Sequence, residues 1–425
     1  MKSVLQRRSL GASLASLARD VSKRVDYYRN EEDHKFRRSV VSLKPQGRPR
    51  GNILISRNHR CFFLKDGDKR WTRHQSHWEV RQLATIFLNL GYAVDVIHYL
   101  NNTFIPDKDY ALFLDVKWNM ERIGPLLNKD CVKVLQPVTT HPLFQAAAEL
   151  RRLRDLQERR GVTLRPRRQD ATNWGIEHAD CGIFIGNAFT VSTYRYADKP
   201  LYRVPCATPF LHASPEGKQF DRVKNRFLFL SGVGMVHKGL DRVLEAFAAM
   251  PHLSLLICGP VEKELDFVKA YRKELYETEN IRLVGWIDVS SQEFADLASS
   301  CVAMLHPSCS EGGATSVVAC MHAGLIPIAS VESEVDISPE FGVILKESSI
   351  QEIRAAVQSI AHFSPLALRA MAQNAWQRAR EEHSPDIFIK ECTALYARLL
   401  SAGASAIRPS ETELGEATAP LSKGP

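Results

Sequence analysis

At 425 residues, with 44% apolar and 24% charged residues, the chain has the composition of a soluble globular protein long enough for two domains. No run approaches the roughly 18 consecutive apolar residues of a membrane span, so no membrane-spanning helix is expected. The net charge of +8 sits in residues 1–50, where 13 Lys and Arg face 5 Asp and Glu, and the rest of the chain balances.

Residues 1–50 read as a basic arm. MKSVLQRRSLGASLASLARD never builds an unbroken apolar core, so no cleaved signal peptide is expected. Leu10, Leu14, Leu17, Val21 and Val25 fall at helical spacing among Arg19, Lys23 and Arg24. That pattern suits an amphipathic helix on the anionic inner face of a cell membrane; a solvated extension is the other reading.

From Gly51 short apolar runs alternate with helical patterns. GNILIS (51–56) reads as a strand, HWEVRQLATIFLNLG (77–91) as a helix ending at glycine, and YAVDVIHY, ALFLDV, VKVLQPV and CGIFIG as further strands. QAAAELRRLRDLQERRG (145–161) reads as an exposed basic helix capped by Gly161. The stretch 205–225, rich in proline, serine and charge, places a domain boundary near 215. Alternation then restarts: RFLFLSG, a helix at LDRVLEAFAAM, LSLLICG, IRLVGW, CVAMLHP, a helix after SEGGATS, and LIPIAS. Two α/β units with mainly parallel sheets, 51–215 and 216–383, thus enclose a cleft. A helix over 384–400 precedes a tail, 401–425, too poor in apolar residues to fold alone. Nine scattered cysteines, several inside the apolar runs and none in C-x-x-C spacing, fit reduced thiols in a cytoplasm rather than disulfides or a zinc site.

Two loops carry the chemistry. SGVGMVHKG (231–239) and SEGGATS (310–316) each follow a strand, bare their backbone through glycines (Gly232 and Gly234; Gly312 and Gly313) and open a helix. Lys238 adds a full positive charge, and Thr315 or Ser316 can cap the second helix. Either loop alone is a plain turn; together, with a lysine, they suit a diphosphate. Glu311 would be repelled by phosphate. It reads either as a loop acid completing a cap or as a ligand for sugar hydroxyls, and a nucleotide-sugar presents phosphate and hydroxyls side by side.

The stretch from Glu311-Gly312 through Gly324-Leu-Ile-Pro-Ile resembles the donor-site signature of retaining GT-B glycosyltransferases, glycosyltransferase family 4 (group 1), over roughly residues 51–400. The resemblance implies two Rossmann-like domains with sheets facing across a cleft, the first for the acceptor and the second for the nucleotide-sugar, and a last helix crossing back. It implies that Glu311 contacts donor hydroxyls, that the Gly312 and Gly313 backbone touches the diphosphate, and that Ala314 and Thr315 belong to the donor site. Lys238 would clamp phosphate, Gly285-Trp286-Ile287 would flank the base, and His141, after VKVLQPVTT, would be the active-site histidine. Three positions depart from the pattern: Ala319 replaces the second motif glutamate, Val233 the clamp arginine, and His74-Gln75 a glycine pair.

His74 and His77, at the start of the first long helix, are candidates for the acceptor side. Without a third ligand at matching spacing they suggest no metal. His306 and His322 read as packing or hydrogen-bonding residues. The basic runs RRLRDLQERR and RPRR lack a recognition helix or aromatic platform, so a phosphate-bearing glycan or lipid-linked acceptor fits them better than nucleic acid. The expected activity is sugar transfer from a nucleoside diphosphate to an acceptor hydroxyl in surface polysaccharide or glycolipid synthesis, with no metal or other cofactor. A catalytically silent glycan-binding protein and a nucleotide-sugar epimerase are the alternatives.

Overall fold

The computed structural model describes residues 33–65, 68, 75–404 and 407. The expected amphipathic arm helix, His74 and most of the tail lie outside the described residues. Two parallel sheets form the frame. The first runs β1-β3-β2-β4-β5-β6-β7, from β1 (Val40–Leu43), β2 (Asn52–Ser56), β3 (Ala93–Ile97), β4 (Leu112–Asp115), β5 (Val132–Leu135), β6 (Cys181–Ile185) and β7 (Leu201–Val204). Only β1 is antiparallel, against β3. The second is all parallel in the order β10-β9-β8-β11-β12-β13, from β8 (Arg226–Leu230), β9 (Ser254–Cys258), β10 (Ile281–Gly285), β11 (Ala303–His306), β12 (Ile326–Ser330) and β13 (Val343–Leu345). Central strands such as LFLD and AMLH are buried at every residue, because helices cover both faces of a parallel sheet.

Five helices matter for the site: α1 (Gln75–Asn89), α2 (Pro142–Arg160), α3 (Leu240–Ala248), α4 (Thr315–His322) and α5 (Pro385–Ala402). The last of these does cross back. Phe388, Cys392, Leu395, Tyr396 and Leu399 join the same core as Val80, Leu83 and Phe87 of α1, with Phe87 and Tyr396 ring centroids 4.8 Å apart. The segment read as an arm is shorter than expected, since residues 40–43 already belong to the first sheet. Among the described residues no helix is long and apolar enough to cross a membrane. All nine cysteines are buried and free.

Helix α2 ends as expected, with Gly161 at φ 65° and its N–H bonded to Gln157 O. It is not, however, an exposed helix. Arg159 Nη2 pairs with Asp241 at 2.7 Å, Arg160 Nη1 with Glu274 at 2.8 Å, and Asp155 receives Arg242 Nη2 at 2.8 Å. Arg152 is buried and donates to Pro307 O at 3.0 Å. Four of these groups, on Arg152, Asp155, Arg159 and Arg160, instead join the two domains, because each finds a charged or carbonyl partner of the second domain opposite it, while Arg154 pairs within the helix with Glu158.

Candidate active site

The strand order of the second sheet reverses between β8 and β11, and the two glycine loops leave the carboxyl ends of these two strands. An open parallel sheet forms its crevice at such a reversal. Gly239 holds the loops together: its φ is +77°, and a Cβ there would stand 2.5 Å from the Pro307 carbonyl oxygen.

Lys238 and Glu311, one from each loop, form an ion pair through Nζ and Oε1, each residue only 7% exposed. The same carboxylate oxygen accepts Ser308 Oγ at 2.7 Å and His306 Nε2 at 3.2 Å. A carboxylate can only accept, so Nε2 of His306 carries a proton, and Nδ1 faces Ser316 Oγ at 3.4 Å. Burial draws the Lys238 ammonium down from its ordinary pKa; Glu311 opposes this and Arg168 adds to it. Burial by itself would raise Glu311, but Lys238 and then His306 hold its carboxyl well below the usual carboxylate range. The carboxylate is therefore charged at neutral pH.

His237, which the sequence did not single out, fastens the two loops to each other. Its Nε2 donates to Ser310 O at 2.6 Å, and its carbonyl accepts Cys309 N at 3.0 Å. Burial, then Lys238, push its pKa down to about 3, so the ring is neutral. Part of the expected anion cradle is already filled: Glu264 accepts Gly234 N through Oε1 at 2.5 Å and Met235 N through Oε2 at 3.1 Å. No side chain caps α4, contrary to expectation. Its N-cap is Ala314, whose N–H bonds Ser333 O at 2.9 Å, and Thr315 and Ser316 already lie inside the first turn.

Gly312 and Gly313 are bare for the first domain. A Cβ on Gly312 would overlap the Val138 carbonyl and stand 2.6 Å from Thr139 N. One on Gly313, at φ +75°, would stand 2.9 Å from Cys206 Cβ. Beside them Thr140 N donates to Glu311 O at 2.9 Å, and Thr140 Oγ1 lies 2.5 Å from Ser310 Oγ.

A pocket of about 250 Å³ opens beside this contact, lined from the second domain by Ser231, Gly232, Gly259, Trp286, Ile287, Val289, Thr315, Ser316 and Ala319. Gln75, Thr208 and Phe210 complete the wall. Thus Gly232, Trp286, Ile287 and Thr315 are brought together as expected, Gly285 ends β10 beside them, and Ala319 presents a methyl to the pocket. Gln75 was noticed only as a departure from the family pattern; its place at the first residue of α1 is what turns it to the pocket. His77 lies in the first turn of α1 and does not line this pocket.

His141 takes another direction. It caps α2 with Nδ1 accepting from Leu143 N at 3.3 Å, while Nε2 lies 3.1 Å from Tyr196 Oη, which donates to Glu177 at 2.9 Å. Its ring faces a separate cavity of about 420 Å³ with Phe144, Trp174, Glu177 and Tyr196. Burial lowers the His141 pKa, with Glu177 opposing. His306 proves to be a hydrogen-bonding residue of the site itself, and His322 bonds His383 O at 3.3 Å away from it.

Two parallel-sheet α/β domains, with the last helix returning to the first, make this the GT-B fold. Residues 216–378 match the family described as Glycosyl transferases group 1, so the second domain is a glycosyltransferase domain of that group and the chain is a transferase enzyme. No curated protein matches the chain significantly. Among solved structures, sucrose-phosphate synthase from Thermosynechococcus elongatus is similar at TM-score 0.60 and 17% identity, over 84% of this chain and 100% of that one. HepE from Anabaena, in complex with UDP and glucose, is similar at TM-score 0.52 and 13% identity, over 83% of this chain and 99% of that one.

Proposed function

We propose that the chain transfers a sugar from a nucleoside-diphosphate sugar to an acceptor hydroxyl, with retention and without a metal, in the synthesis of a surface polysaccharide or glycolipid. The buried Lys238–Glu311 pair beside the Trp286-walled pocket carries this reading. Donor binding would exchange partners in one event: phosphate takes Lys238, and Glu311 is released to accept from sugar hydroxyls. Departure of the diphosphate then builds charge that Lys238 stabilises most in the transition state. A fixed cation at this place supplies what a metal otherwise would. The test is a thermal-shift screen of UDP, GDP and ADP with their sugars, starting with UDP because HepE was solved with it. Stabilisation by none of them would overturn the proposal.

Glu311→Gln separates the two roles. It removes charge but keeps size, so the bare nucleoside diphosphate, no longer competing with a carboxylate for Lys238, should bind at least as well as before. Turnover of the nucleotide-sugar should fall by about ten- to a hundredfold, the equivalent of a charged hydrogen bond worth roughly 1.5–3 kcal/mol. Equal weakening of both ligands would make Glu311 a support of the loop instead.

Ala319 in the pocket wall favours one alternative, a silent glycan-binding protein. Calorimetry decides it: such a protein binds glycan and no nucleoside diphosphate.

The arm belongs to the same proposal, as a tether to an anionic membrane surface where a lipid-linked acceptor would be presented. Residues 1–30 hold 7 Lys and Arg against 2 Asp and Glu, and deleting them spares β1. The full chain should sediment with anionic vesicles more than the truncated one at low salt. The difference should fade as the Debye length shrinks below about 10 Å. Equal sedimentation at low salt would remove the tether.

A further inference from the structure

Cations near the 231–239 loop are nearly all matched by acids. Lys238 holds Glu311, Arg159 holds Asp241 and Glu245, Arg160 holds Glu274, and Arg167 holds Asp266. Lys238 and Glu311 cancel, and His237 is neutral, so an arriving diphosphate meets no net charge from these three.

Two guanidinium groups of the first domain reach the loops without an ion-pair partner among the described residues, those of Arg152 and Arg168, the nearby Glu149 carboxylate feeling the Arg168 charge but bonding its main chain. Arg152 is buried beneath the loops against Pro307 O. Arg168 is half-buried, within reach of solute, and lies across the glycine loop. A Cβ on Gly234 would stand 2.8 Å from its Cγ and 3.4 Å from its Cδ, so the absence of a side chain at Gly234 makes its seat. Its Nε is buried and has no hydrogen-bond partner.

The main chain of Arg168 is fixed from α2. Glu149 accepts its N–H at 3.0 Å and 3.1 Å, and Gln145 Nε2 donates to its carbonyl. Both Lys238 and His237 feel its charge, which lowers their pKa values behind the larger effect of burial. A cation close enough to depress Lys238 is close enough to share an anion with it. One residue before Gly234 the loop carries Val233, 43% exposed and uncharged.

We propose that Arg168, delivered by the first domain, is the second cation of the diphosphate site and supplies the charge the loop lacks at Val233. The inference rests on the nucleotide-sugar reading and adds a consequence to it: diphosphate held by Lys238 and Arg168 ties the two domains together. A guanidinium suits this place because its planar fork matches phosphate oxygens in pairs.

The experiment titrates the intact protein, Arg168→Gln and Arg168→Lys with UDP, GDP, ADP, their nucleosides and inorganic diphosphate. Arg168→Gln should weaken the diphosphates by about ten- to a hundredfold and leave the nucleosides unchanged, with Arg168→Lys between. The melting temperature should hold, since the contacts that anchor residue 168 are made by its main chain. Diphosphate affinity unchanged in Arg168→Gln, with nucleotide-sugar turnover intact in the wild type, overturns the role of Arg168 alone. Arg168-dependent binding of inorganic diphosphate without any nucleoside diphosphate binding overturns sugar transfer and keeps Arg168 as an anion ligand. A wild type that binds neither overturns both.

Discussion

Lys238→Ala should lower turnover by about 10²–10³-fold, the scale for losing one preorganised charge at a transition state. It should also destabilise the protein, because the buried Glu311 would lose the charge that chiefly holds its carboxyl ionised and keep only Ser308 and His306 as partners. Removing one partner of a buried pair costs about 3–5 kcal/mol, whereas replacing both with apolar groups of similar volume is close to neutral. The double variant Lys238→Met, Glu311→Leu should therefore recover the melting temperature of the single variant's parent while staying inactive. Melting and single-turnover measurements on the three proteins separate the structural loss from the chemical one. Unchanged kcat in folded Lys238→Ala would remove Lys238 from the site.

The frame of this molecule was legible because parallel strands are buried on both faces. RFLFL, SLLIC and AMLH are nearly continuous apolar runs, and each is a strand as read. The three strands that escaped are VVSL, LYRV and VIL, all at sheet edges and only three or four residues long, so no apolar run of strand length marks them. Lys238 and Glu311 could be paired in thought because the strands before them suggested adjacent loops at one end of a sheet. What could not be read was that the two groups take each other as partners. Burial forces a charge to find its complement, and the nearest complement of Lys238 is Glu311.

The remaining misreadings share one cause. Sequence spacing reports on contacts within a turn or a strand, and contacts between distant segments, within a domain or between domains, leave no such mark. The arginines of α2 look like a solvated face until Asp241 and Glu274 are placed opposite them. Glu264 is thirty residues beyond the loop whose N–H groups it takes, and nothing local links EKELD to SGVGM. Arg168 was visible only as part of a basic cluster. Its seat on Gly234 exists because two domains meet there.

Gly312→Ala tests how much of the glycine signature belongs to that meeting. Its φ lies outside the left-handed region, so any residue could adopt the backbone; only space forbids a side chain. The obstruction is main chain, the Val138 carbonyl and Thr139 N, which cannot swing aside as a flexible side chain would. An inserted methyl must therefore separate residues 138–140 from 310–312, breaking the Thr140 N–Glu311 O and Thr140–Ser310 hydrogen bonds. Overpacking of this kind costs about 1–3 kcal/mol, and two lost hydrogen bonds add about 1 kcal/mol each. The ligand-free protein should melt several degrees lower, scatter X-rays as a more open particle and lose most turnover, because the domains can no longer close on the donor. If Gly312 is bare only for phosphate, the ligand-free melting temperature and scattering should not change and diphosphate affinity alone should fall. A ligand-free Gly312→Ala protein indistinguishable from wild type would show that the glycine serves the ligand and not the domain contact.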